Sequence, residues 1–285
     1  MSGSRRIGGR VVPVISEDDL PSSPSVSQSH EEVPASSSHV AVVNLRHTNK
    51  GELLPLMSFG HYPFDIAGDN RKKLVWDIIK LEKKFAILAT HYGIQIFPQE
   101  RSGVYTGWEG SGVRRVLNND FVSKAFSAKE SARIVACSVS GASGTVKDKV
   151  VLFSDSELEH YFPRREEWVV EASPYAISNG VKTIADSNGR QICRWGLRNV
   201  AGEGIGGFLG VDFDGHIKEF DSSAGFAVRP YIVITIQDKE RSKLDSLLAA
   251  GSKAAETIAQ GAGSIFGGSN AWDLAGDIIE FFWDF

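Results

Sequence analysis

Gly210-Val211-Asp212-Phe213-Asp214-Gly215-His216-Ile217-Lys218-Glu219-Phe220 reads as two short strands around an Asp-Gly turn. A two-residue Asp-Gly loop supplies the positive φ that a tight hairpin needs. A second hairpin is read from Leu74-Val75-Trp76-Asp77-Ile78-Ile79 and Phe85-Ala86-Ile87-Leu88-Ala89, which flank Glu82-Lys83-Lys84. Leu74, Ile78, Leu81 and Phe85 would also fit one face of a helix. The high β-branched and aromatic content and the lack of a cap before Leu74 favour strands. Residues 228–236 read as a long final strand, in which Pro230 lacks a ladder donor and predicts an edge or irregular position. Helix signals are fewer. Ser111 can cap a short helix through Leu117, and Ser127-Ala128-Lys129-Glu130 and Ser154-Asp155-Ser156-Glu157 fit capping boxes. Pro163 closes the helix that follows Ser154. Short strands, few helices and many glycine turns make the fold class α+β.

Outward from this body the composition changes. The chain has 285 residues, is 42% hydrophobic and 23% charged, and carries a net charge of −4. That balance argues against a nucleic-acid coat or a polybasic membrane binder. Two cysteines exclude a disulfide scaffold and a four-cysteine zinc site. None of the 16 Phe, 6 Tyr and 6 Trp lies before Phe59. Residues 1–48 are rich in Ser and Pro and are expected to be a disordered arm. Its Val11–Ile15 or Val40–Leu45 segment offers the alternative of a strand added to a partner's sheet. Residues 49–236 form the main domain. Residues 237–285 form an Ala/Gly-rich helical extension ending in an acidic aromatic tail, and hold 4 Lys+Arg against 8 Asp+Glu. The run Val11-Val12-Pro13-Val14-Ile15 is too short for a secretory signal, and no run of 18 apolar residues exists. A cytoplasmic location is the default expectation, with non-classical export or association with a particle as alternatives.

The pieces of the main domain also fall in a familiar order. Ser58-Phe59-Gly60-His61-Tyr62-Pro63 is followed by Val75-Trp76-Asp77-Ile78-Ile79, Trp108-Glu109 and residues 113–121, then Ala125-Phe126-Ser127. Asp148-Lys149-Val150-Val151-Leu152-Phe153-Ser154, Arg194-Trp195-Gly196-Leu197-Arg198 and Gly225-Phe226-Ala227-Val228-Arg229-Pro230 complete the series. Over about residues 56–236 this resembles a large bacterial domain family of unknown function with FGxYP, LRxWLNxxF, DKVFLLS, WWLRS and GVRP motifs. That family is similar to the C-type-lectin-like fold shared with the formylglycine-generating enzyme group. The resemblance implies a small twisted antiparallel sheet flanked by short helices, with ligand loops around 100–112, 138–148, 178–192 and 199–208. Gly196 replaces the second Trp of WWLRS, and Asn199-Val200 replaces the Ser-Pro that follows, so ligand identity does not carry over.

Trp108, Glu109, Asn199, Glu203, Asp214 and His216 are the candidates for a ligand face. Trp76, Trp195, Arg198 and Arg229 read as the structural signature, the arginines each pairing a carboxylate or backbone carbonyls. Cys137 and Cys193 are 56 residues apart, unlike the local copper-binding pair of formylglycine-generating enzymes, and Cys137 sits in an apolar run. The scattered histidines show no ligand spacing. Gly202-Glu203-Gly204-Ile205-Gly206-Gly207 does not open a helix and reads as a loop rather than a phosphate cradle. Asp212-Phe213-Asp214-Gly215 fails the EF-hand spacing. No metal or cofactor is expected. In the tail, Trp272, Ile278, Phe281, Phe282, Trp283 and Phe285 either pack back on the domain or dock on a partner. The leading expectation is a non-enzymatic recognition module for a glycan or protein, with no nucleic acid. The alternatives are a structural or cargo component of a phage-like or secretion assembly attached through its termini, and a formylglycine-generating-type oxidase, which the missing cysteine pair disfavours; residues 237–285 also offer a route to a homo-oligomer or larger assembly.

Overall fold

A seven-stranded sheet carries the core. The computed structural model describes residues 5–7, 10–12, 42–47, 53–68, 72–98, 107–140, 144–202, 206–221, 225–242, 244–246 and 249. From one edge the sheet runs Val150–Leu152, Pro230–Thr235, Phe85–Thr90, Lys73–Leu81, Leu53–His61 and Val42–His47, and Ile134–Val135 also pairs with Pro230–Thr235. All of its pairings are antiparallel. The expected hairpin at 74–89 is present, as Lys73–Leu81 against Phe85–Thr90. Ile78, Leu88, Ile232 and Val233 have no exposed surface. Burial of the sheet on both faces explains why these strands read as continuous apolar runs rather than alternating ones.

A second sheet of five strands runs Ile217–Phe220, Phe208–Val211, Trp195–Val200, Gly225–Ala227 and Ile96–Pro98. Its Trp195–Ala227 pairing is parallel. The expectation of one small sheet is corrected, while the expected antiparallel pairing holds everywhere in these two sheets except at Trp195–Ala227. Non-local strands close these sheets, and local patterning says nothing of their number. Pro230 also corrects an expectation. Its strand is internal, between Val150–Leu152 and Phe85–Thr90. Proline is tolerated there because it is the strand's first residue.

The short helices start where their caps predict. Ser111 accepts from Arg114 N–H at the start of Gly112–Val116, which continues through a π-turn, Leu117–Phe121, into Val122–Ala125. Reciprocal capping boxes open Ala128–Arg133 at Ser127 and Asp155–Tyr161 at Ser154. The latter ends immediately before Phe162-Pro163. Trp76, Trp195, Phe121, Phe153 and Phe162 fill the interior between helices and sheets.

Within residues 1–48 the described pieces are strands. Arg5–Ile7 pairs with Arg10–Val12, and Val42–His47 pairs with Leu53–His61 of its own chain. The rest of that arm lies outside the described residues. At the other end, residues 238–242 and 244–246 are helical and dock on the body. Leu244 is buried in the main core, Arg241 donates to the Glu82 carbonyl, and Glu240 pairs with Arg133 at 2.7 Å. Trp272, Ile278, Phe281, Phe282, Trp283 and Phe285 lie outside the described residues.

Candidate functional site

The Trp195–Val200 and Phe208–Val211 strands separate two polar ends of the smaller sheet. Val200 pairs with Phe208 at one end and Trp195 with Val211 at the other. Five residues of extended chain put these ends about 17 Å apart. The ligand-face candidates divide between them rather than converging.

Trp108, Glu109 and Asn199 lie towards the Val200 end. Trp108 is buried, and its indole N–H donates to Asp148 at 2.8 Å, so it belongs to the core rather than to a surface. Arg114 reaches the same carboxylate at 2.7 Å. The Glu109 carboxylate and Val200 both lie beside Gly107, where a Cβ would sit 3.2 Å and 3.8 Å from them. Asn199 is engaged with Asp155, accepting from its N–H at 2.9 Å and donating to its carboxylate at 3.1 Å. Glu203 lies outside the described residues.

Asp214 and His216 lie at the other end, on the turn after Val211. The hairpin is present, but its turn differs from the expected two-residue loop. Asp212 N–H donates to the His216 carbonyl and Gly215 N–H to the Asp212 carbonyl. Phe213, Asp214 and Gly215 therefore form a three-residue loop, with Gly215 at φ +78° in the third position. A Cβ on Gly215 would be 2.9 Å from the Arg165 carbonyl oxygen. The turn thus lies directly against the 3₁₀ turn Arg165–Trp168.

Charge is organised around this turn. Asp212 is buried and takes Arg194 at 2.6 Å and also Lys218. Burial pushes its carboxyl up, but hydrogen bonds from Lys218, Arg194 and the Phe213 N–H outweigh this and hold it at about 2. Arg194 also stacks over Phe213, 4.5 Å from its ring centroid, and reaches the Phe220 ring at 5.5 Å. Asp214 is exposed and is held below the ordinary carboxylate range, first by the His216 backbone N–H and then by the charge of Lys218. His216 bridges, with Nδ1 3.2 Å from Asp214 and Nε2 2.8 Å from Arg165 Nη1. These side chains are solvent-facing, yet the buried carboxylate and the Gly215 contact hold them in register.

The signature residues are interior. Trp76 donates to the Phe59 carbonyl at 2.7 Å and Trp195 to the Trp168 carbonyl at 2.9 Å. Arg198 grips Glu157 through both nitrogens of its fork, Nη2 to Oε1 at 2.6 Å. Arg229 donates to Asp77 at 3.0 Å and to the Thr90 and Glu167 carbonyls. The other Asp77 oxygen lies 2.8 Å from Nδ1 of His91. This Asp77–His91 pair, and the roles of Arg165 and Arg194, were not read from the sequence. The hairpin register places Asp77 opposite Ala89, so His91 falls two residues past its cross-strand position. That count was the available signal for the first pair. Arg165 and Arg194 had none.

Among the described residues no group of three His, Cys, Asp or Glu could hold a metal. Cys137 and Cys193 are buried thiols that form no disulfide. Burial pushes the Cys193 thiol up to about 12, away from reactive thiolate character. Among the described residues no helix is long and apolar enough to cross a membrane.

The model of the family described as Domain of unknown function (DUF6273) matches residues 83–236. This is more than half of the chain, and the chain belongs to that family. The match contains both polar ends of the smaller sheet, whereas the Leu53–His61 and Lys73–Leu81 strands precede it. No curated protein and no solved structure matches the chain.

Proposed function

We propose that this member of the DUF6273 family is a non-enzymatic recognition module with a C-type-lectin-like body, which binds a glycan or a protein segment at the hairpin turn of its smaller sheet. The order of the sequence motifs supports the fold reading, as does an α+β body with irregular connections over short helices. The observation that carries the functional reading is the turn itself. Asp214, His216, Lys218, Arg165 and Arg194 present donors and acceptors of both signs to solvent, ordered by a buried carboxylate and a backbone contact. Such a surface meets a polar ligand with its side chains already placed, which lowers the ordering cost of binding. The buried thiols argue in the same direction, against the oxidase alternative.

The test is a screen of the full chain against glycan and protein arrays, repeated with a D214A/H216A variant. A ligand retained by the native chain and lost by the variant, at unchanged melting temperature, is the expected result. An array with no ligand, or a ligand bound equally by the variant, would overturn the reading.

A further inference from the structure

At the hairpin turn the position of one proton follows from the chemistry of its neighbours. Arg165 Nη1 lies 2.8 Å from His216 Nε2. A guanidinium offers donors only, so Nε2 is the acceptor and the ring carries its proton on Nδ1, facing Asp214 Oδ2 at 3.2 Å. Two long side chains could meet this way by chance on an open surface. Here the backbone brings them together, because the missing Cβ of Gly215 lets the turn close against the Arg165 carbonyl. Among the described residues Arg165 has no carboxylate within ion-pair distance.

Protonation at Nε2 changes the pair from donor and acceptor into two donors side by side. That arrangement can no longer bond to itself, but it suits an oxygen anion placed between guanidinium and imidazolium. We infer that Arg165 and His216 form a binding site for an oxyanion, the carboxylate, sulfate or phosphate group of an acidic ligand, which fills only when the imidazole is protonated. The inference rests on the hairpin turn being the ligand face and adds the ligand class and its proton dependence.

The surrounding charges favour a proton-dependent site. The hairpin contributes Asp212, Asp214 and Lys218, and the residue just before the Trp195–Val200 strand contributes the Arg194 charge. The 3₁₀ turn and its N-cap residue contribute Arg164, Arg165, Glu166 and Glu167, with Arg164 and Glu167 paired at 3.2 Å. Four cations therefore meet four carboxylates, and a proton on His216 leaves the face net cationic. Asp214 opposes the anion directly but stabilises the imidazolium, while Lys218, 3.8 Å from it, offsets its charge. The site is thus close to balance without the proton and attractive with it.

The experiment titrates the full chain with sodium sulfate at about pH 6 and about pH 8, bracketing ordinary imidazole titration. Sodium chloride keeps the ionic strength constant, and NMR follows the His216 ring. One proton taken up with the anion makes affinity fall by up to about tenfold per pH unit once the free imidazole is neutral. At least a tenfold weaker response is therefore expected at the higher pH. Arg165→Ala should abolish saturation at both. His216→Gln, which keeps a donor but cannot titrate, should remove the pH dependence. Acetate and inorganic phosphate, run the same way, identify the preferred oxyanion. Equal sulfate affinity of the native chain at the two pH values overturns the inference, as does saturation kept by Arg165→Ala, or no response to any of the three anions. Because inorganic anions need no natural ligand, an empty array alongside a pH-dependent sulfate site would sink only the recognition reading. An array ligand without anion binding would sink only this one.

Discussion

Glu157 has no exposed surface, so its charge has to be answered within the fold. Arg198 supplies both fork nitrogens, the Ser154 N–H donates at 3.0 Å, and the Tyr231 hydroxyl lies 3.4 Å away. Replacing Arg198 by Ala strands the carboxylate and should cost about 3–5 kcal/mol in urea unfolding. Replacing both partners by Leu and Met should cost less than Arg198→Ala alone, because no buried charge remains; a double variant as unstable as the single one would mean that packing, not charge, dominates here. The sequence singled out Arg198 and Arg229 as paired arginines. It did not reveal their partners, because Glu157 is 41 positions and Asp77 152 positions away. Pairing at such separation is set by sheet order, which no local pattern encodes.

Elements were more legible, because their signals are local. Both capping boxes, the Ser111 cap and both hairpins follow from residues within a few positions of one another. Ser154→Ala removes the acceptor for the Glu157 N–H and should cost about 1 kcal/mol, seen as a lower melting temperature. Ser127→Ala should cost no more, since its box is exposed. The hairpin turn is where local reading gave the right element with the wrong loop. Asp-Gly fits a two-residue turn, but the Asp212–His216 backbone pair leaves three residues in the loop and puts Gly215 last. A comparison of two glycines isolates what this geometry adds. Gly189 and Gly215 have φ of +80° and +78°, yet nothing lies within 4 Å of a Cβ at Gly189. Gly189→Ala should cost only the left-handed backbone penalty, about 1–2 kcal/mol. Gly215→Ala should cost measurably more in the same melt and should weaken the Arg165–His216 contact. Equal costs would show that the approach to Arg165 is slack.

At the scale of the whole molecule, the α+β class and the core positions of Trp76 and Trp195 could be read from pattern and motif. The seven-stranded sheet, its inner Pro230 strand and the parallel Trp195–Ala227 pairing could not, since each depends on chain segments far apart meeting in one layer. The candidate site was half visible for the same reason. Asp214 and His216 lie on a local turn, while Arg165 and Arg194 reach it from other elements. Asp212 ties the hairpin to Arg194, and its charge makes that link sensitive to acid. A carboxyl held at about 2, against an ordinary value near 4, binds protons more readily when unfolded. Its contribution to stability is therefore complete above about pH 4 and is lost as pH falls from about 4 towards 2. Asp212→Asn removes that titration along with the ion pairs to Arg194 and Lys218. At neutral pH the variant should be less stable by roughly 1.5–3 kcal/mol, the range for hydrogen bonds to charged groups. Chemical denaturation from pH 7 down to pH 2 checks the sign. The gap between native and variant should hold to about pH 4 and narrow below it. A gap that stays constant to pH 2 would mean that the carboxylate charge does not bind the hairpin to Arg194.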